Sequence, residues 1–175
     1  MPSIYTSEAF VLKKKQLLKQ DLLITLFMKE MGKVRVMAKG VQKLTSRRAS
    51  GVETGNFIHA TVHESNGAFF LNDVRLISGF TMIKESEQKR KAAYLYFFIL
   101  DRILPENQQE EKAYALTKQF LVSLSKHAHS SNDFVSDNLY DLLVVLGYVR
   151  HPLPYHDLIA TVESIIHEKI PQDII

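Results

Sequence analysis

The chain of 175 residues contains no cysteine, and that absence removes disulfides, thiol nucleophiles, dithiol redox chemistry and thiolate-ligated zinc together. Long apolar runs are missing as well. Every hydrophobic stretch is broken by Lys, Asp or Glu before the roughly 18 residues that a membrane-spanning helix needs. The N-terminus has no apolar h-region with a cleavage site, so a cytoplasmic location without a membrane partner is expected. A glycine-rich run ending in Gly-Lys-Ser/Thr is absent, which argues against a nucleotide-hydrolysing phosphate loop, and no Gly-x-Ser-x-Gly elbow offers a serine nucleophile. Internal repeats, low-complexity tracts and Gly/Ser linkers are also lacking.

What is present suits a globular protein. Hydrophobic residues make up 46% and charged residues 23% of the chain, enough apolar material for one generous domain or two small ones. The net charge of +3 hides an asymmetry. Near Ile83 the apolar pattern changes period; residues 1–83 carry 12 Lys+Arg against 6 Asp+Glu, hence +6, while residues 84–175 carry 10 against 13, hence −3. A locally basic domain concentrates polyanions and speeds their arrival.

The first half alternates with period two between turn residues, as half-buried antiparallel strands do. Five strands are predicted: about Ile4 to Lys14, Asp21 to Lys29, Lys33 to Lys39 after a Met31-Gly32 turn, Phe57 to Glu64, and Phe69 to Ser78. The last two are joined by Asn66-Gly67, the strongest short hairpin signal. An open sheet of this size would expose two edges, so a five-stranded OB-type barrel is preferred over a small sandwich. From Lys84 onward apolar residues recur at three and four, and four helices are expected: one ending at Pro105, one over Gln109 to Lys126, one between Ser130-Ser131 and Gly147, and one from Pro154 to before Pro171. The fold class is therefore α+β. The expected domains are 1–83, nucleic-acid-binding, and 84–175, helical, with the first helix central because Tyr94, Leu95, Phe97, Phe98, Ile99 and Leu100 leave it apolar around most of its circumference.

The most informative stretch runs from Lys39 and Gly40 through Lys43, Thr45 and Ser46 to Arg47 and Arg48. Its cations can each neutralise a phosphate and release a counterion, and Ser46, Thr45 and backbone N–H groups can donate to phosphate oxygens. Lys33 and Arg35 share one face of the preceding strand, and Lys13 to Lys15 cluster at the end of the first, so a continuous basic track is available. The competing reading is a solvated loop that keeps the barrel soluble. Phe57, Phe69, Phe70 and Phe80 are the aromatic candidates for base stacking, although alternation assigns most of them to the core. Chemistry is poorly supported. Glu110-Glu111 and Asp137/Asp141 fall on expected exposed helix faces, and the histidines His127, His129, His151 and His156 make a poor zinc set without cysteine or clustered acid. No catalytic residue, metal or cofactor is expected.

Several separated motifs occur in one order: Glu8-Ala9-Phe10-Val11-Leu12, Asp21-Leu22-Leu23-Ile24-Thr25-Leu26-Phe27, the run from Lys29 through Met31-Gly32-Lys33-Val34-Arg35 to Lys39-Gly40, Ser46-Arg47-Arg48, and Ala92-Ala93-Tyr94-Leu95 through Leu104-Pro105-Glu106 to Leu146-Gly147-Tyr148. In these residues the chain resembles the RecO family of bacterial recombination mediators, over roughly residues 3 to 148. The resemblance implies an OB barrel with a helical domain, and a non-enzymatic, nucleoid-associated protein of DNA repair and recombination. It implies binding of single- and double-stranded DNA, annealing of complementary strands, and loading of recombinase onto coated single strands. DNA contact is implied at Lys39, Arg47 and Arg48, with Lys33, Arg35 and Lys43 as neighbours. The implied partners are RecR and the C-terminal tail of the single-stranded-DNA-binding protein. One departure is visible. After Tyr148, where many relatives carry a four-cysteine zinc element, this shorter chain continues Val149-Arg150-His151-Pro152-Leu153-Pro154 into a last helix, so no metal is expected. A protein-interaction adaptor and an RNA-binding OB module remain the alternatives.

Overall fold

The alternating first half forms five strands, β1 (Ile4–Gln16), β2 (Leu22–Met28), β3 (Gly32–Ala38), β4 (Phe57–Ser65) and β5 (Ala68–Ser78). This computed structural model describes residues 3–18, 21–39, 50–127 and 130–175. The strands close into a barrel in the order β1-β2-β3-β5-β4, with β4 returning to pair with β1. All neighbours are antiparallel except β3 and β5, which run parallel through Val36↔Phe69 and Met37↔Phe70. This is the OB-type arrangement. Asn66 and Gly67 both have positive φ, 52° and 74°, as the two centre residues of a type I′ hairpin require.

Alternation decides which side chains fill the barrel. Leu22, Ile24, Leu26 and Met28 of β2 meet Val34, Val36 and Ala38 of β3, Ile58, Ala60 and Val62 of β4, and Ala9 and Val11 of β1 in one buried cluster. β1 is bulged at Leu12, because Val11 pairs with Leu26 while Lys13 pairs with Thr25. Beyond an extra residue the facing of the strand inverts. Lys14 consequently stands on the side of Ile24, at the barrel's end, where Glu53 meets its ammonium at 2.6 Å. Lys13 and Lys15 face outward and are exposed.

The barrel strands belong to a unit comprising Met1–Gly79 together with Leu104–Glu110. The later segment adds to the edge of β3 that β5 leaves unpaired: Lys33 bridges in parallel to Glu106, and Asn107 N–H donates to Lys33 O at 2.8 Å. Gln109 Nε2 donates to Lys29 O at 3.2 Å. Gly32, at φ +74°, lets this strap approach closely, since a Cβ there would lie 1.7 Å from Gln108 O.

The second unit, Phe80–Ile103 with Glu111–Ile175, is helical. A single turn, α1 (Thr81–Lys84), precedes α2 (Glu87–Ile103), α3 (Glu111–Lys126), α4 (Asn132–Val145) and α5 (Tyr155–Ile166). The four long helices fall where the three-and-four periodicity places them. Ser131 caps α4 by accepting from Phe134 N–H at 3.1 Å. Leu95, Tyr96, Phe97, Ile99 and Leu100 of α2 are all buried, and Tyr96 stacks on Phe120 of α3 at 4.2 Å. Burial pushes the Tyr96 phenol well above its ordinary pKa. Past α5, Glu163 accepts from Ile170 N–H at 3.0 Å and from the Lys169 ammonium, which together hold its carboxyl below the usual range. Among the described residues no helix is long and apolar enough to cross a membrane.

Candidate nucleic-acid interface

Strand register gathers the basic residues on one outer face. Lys13 pairs with Thr25 and Thr25 with Arg35; Lys15 pairs with Leu23, Leu23 with Met37, and Met37 with Phe70. Directly paired residues point to the same side of a sheet. Lys13, Lys15 and Arg35 therefore share the outward face of β1, β2 and β3, and Lys39, two residues beyond Met37, is exposed just past the end of β3. Lys39 is also where the basic stretch begins. Residues 40–49 lie outside the described residues, so Lys43, Ser46, Arg47 and Arg48 are known here from the sequence only. The chain beyond them is pinned, since Asn56 Nδ2 donates to Ser50 O at 2.9 Å and to Gly51 O at 3.0 Å.

Two members of the expected basic track are placed differently from its other cations. Lys33 is buried, with 5% of its surface exposed, because the strap from Leu104 to Glu110 runs along its edge of β3. Arg35 is exposed, but its Nη2 lies 2.7 Å from Glu106 Oε1, so the strap supplies it with a counter-charge. Such a half-exposed pair is worth roughly 0–1 kcal/mol and yields readily to a denser anion.

The four candidate aromatics separate clearly. Phe57 is buried and stacked on Phe10 at 4.8 Å. Phe69 packs against the barrel core, edge-on to Tyr5 at 6.3 Å. Phe80 belongs to the helical unit, in a left-handed conformation before α1. Phe70 is half-buried on the outer face, with the Lys39 ammonium 4.9 Å from its ring centroid and His63 stacked on it at 5.2 Å. His63 and Met37 were not singled out in the sequence. The signal for His63 was available, because a two-residue Asn66-Gly67 turn pairs Ser65 with Ala68 and so sets His63 opposite Phe70.

The residues weighed for chemistry lie outside the five strands. Glu111, Asp137 and Asp141 are exposed, Glu110 accepts from Gln108 Nε2 at 2.8 Å, and His127 leans on Phe134 at 4.7 Å. His129 lies outside the described residues. Among the described residues no group of three or more His, Asp or Glu could hold a metal ion.

Residues 1–80 match the family described as Recombination protein O N terminal. Proteins named DNA repair protein RecO are similar over more of the chain. That of Caldanaerobacter subterraneus subsp. tengcongensis is 26% identical over 143 residues, covering 82% of this chain and 58% of its own length. The Thermoanaerobacter sp. protein is 27% identical over the same spans, and that of Frankia casuarinae is 28% identical over 107 residues, or 61% of this chain and 44% of its own length. The chain thus spans less than three fifths of the length of these relatives.

Proposed function

From the match of residues 1–80 to the Recombination protein O N-terminal family, we propose that this chain is a RecO-like, non-enzymatic DNA-binding protein of recombination and repair. The observation that carries the reading is the register that turns Lys13, Lys15 and Arg35 to one outer barrel face, with Lys39 exposed just past β3 and Lys43, Ser46, Arg47 and Arg48 following it in the sequence. Cations spaced along a face and a loop neutralise successive phosphates without reading base edges, so binding to single and double strands is largely independent of sequence.

Annealing follows from the same electrostatics. Two complementary strands repel through their phosphates, and a face that neutralises several of them while leaving base edges open lowers the barrier to encounter. Base pairing supplies the driving free energy, so no nucleotide is consumed. Recombinase loading, with RecR and the tail of the single-stranded-DNA-binding protein as partners, is part of the proposal and rests on the similarity to RecO.

Fluorescence anisotropy with labelled oligonucleotides tests the reading. A Lys13→Gln, Lys15→Gln, Lys39→Gln variant should lose about tenfold or more of its single-strand affinity at low salt, and Arg47→Glu with Arg48→Glu should act in the same direction, each flattening the salt dependence. Unchanged affinity at matched salt in both variants would remove the interface. An adaptor would bind oligonucleotides without dependence on their length, and competition by RNA of the same sequence separates the RNA-binding alternative.

A further inference from the structure

At the end of the β3–β5 pair the barrel surface opens into a cavity of about 290 Å³ lined by Met37, Lys39, His63, Ser65, Phe70 and Leu71. We propose that this cavity is a seat for one unstacked nucleobase, with the phosphate beside it held by Lys39. The proposal deepens the DNA-binding reading and rests on it.

Three strands build the site. Met37 of β3 pairs with Phe70 of β5, which pairs with His63 of β4, so three flat or polarisable side chains stand in one row on the outer face. The His63 and Phe70 rings are stacked at 5.2 Å, 20° from parallel, so a base on Phe70 would extend an existing stack. His63 Nδ1 is hydrogen-bonded to Asn72 Oδ1, which fixes the imidazole against rotation. An ordered aromatic surface is what a base needs, because stacking loses strength when the platform must first be immobilised.

Charge identifies the occupant. The Lys39 ammonium, 4.9 Å over the Phe70 ring, marks a face that is electrostatically attractive yet reached by a flexible side chain. A base sliding onto that ring displaces the ammonium sideways, toward the phosphate the base itself carries. Ser65 adds a hydroxyl at the rim, and Met37 and Leu71 give the cavity an apolar wall. A flat aromatic group tethered to an anion answers all of these features. A nucleotide in a single strand is such a group, whereas a duplex keeps its bases stacked on one another and gives up a face only by unstacking. The seat adds base-dependent affinity for single strands to a surface that otherwise sees only phosphates.

The test compares a 15-residue oligothymidylate with an abasic tetrahydrofuran-phosphate strand of equal length, titrated against the whole chain at one low salt concentration. The intact protein should prefer the base-bearing strand by about tenfold, within the range for one stacked base. In Phe70→Leu, which keeps apolar bulk without a ring, the two strands should converge, and Phe70→Tyr should restore the preference, separating loss of stacking from loss of fold. Equal affinity of the intact protein for both strands overturns the seat while leaving phosphate binding in place. Binding of neither strand overturns the DNA reading itself.

Discussion

Glu106 and Arg35 form the pair on the proposed interface whose removal should strengthen rather than weaken binding. The carboxylate lies 2.7 Å from the guanidinium and occupies the position a phosphate oxygen would take. Displacing it costs part of what the new contact returns. Glu106→Gln should therefore raise single-strand affinity at low salt about two- to fivefold, the equivalent of a surface pair of up to about 1 kcal/mol. An equal or lower affinity in the anisotropy titration would mean that Arg35 takes no part in the interface. Lys33, one alternation earlier on the same strand, offers no comparable test because the strap buries it.

At the scale of elements, the meeting of the β2–β3 turn with the Leu104–Glu110 strap governs how the basic face is presented. Gly32 serves twice there, once by adopting φ +74° and once by leaving the space a Cβ would fill. Ala at this position has to displace the Gln108 carbonyl or abandon the turn. Gly32→Ala should lower stability by at least about 2 kcal/mol, since left-handed strain alone costs about 1–3 kcal/mol and the overlap adds to it. A urea midpoint within error of the parent would show that the strap yields freely. The bulge at Leu12 is the second device at this scale. It turns Lys13 and Lys15 outward and sends Lys14 to Glu53, so one inserted residue decides which lysines face the outer surface and which one meets Glu53.

For the whole molecule the proposal is a statement about counterions. Four outer-face cations with three more in the basic stretch give an upper bound, and engagement of about five phosphates predicts a log–log salt slope near −3.5 on single strands. Titration between low and physiological salt measures it. A slope near zero would assign the +6 charge of residues 1–83 to solubility instead of to a polyanion. The excess of acidic residues after residue 83 makes this a prediction about a dipolar charge distribution, and the modest net charge of +3 would not suggest it.

The sequence by itself determined the five strands, the Asn66-Gly67 hairpin, the four long helices and the uneven charge, because periodicity, turn chemistry and charge counts are local properties that survive without coordinates. It brought the basic residues into view but could not sort them. Lys33 and Arg35 look equivalent in an alternating strand, and only the return of residues 104–110 to β3, some seventy positions later, buries one and pairs the other. The same holds for the aromatics. The Asn66-Gly67 hairpin already sets His63 opposite Phe70, but only the closed barrel packs Phe69 on the core and brings Met37 of β3, with Lys39 beyond it, against Phe70. Facing and partnership of this kind arise from register between distant segments, where a single bulge inverts every side chain that follows, and no local pattern encodes them.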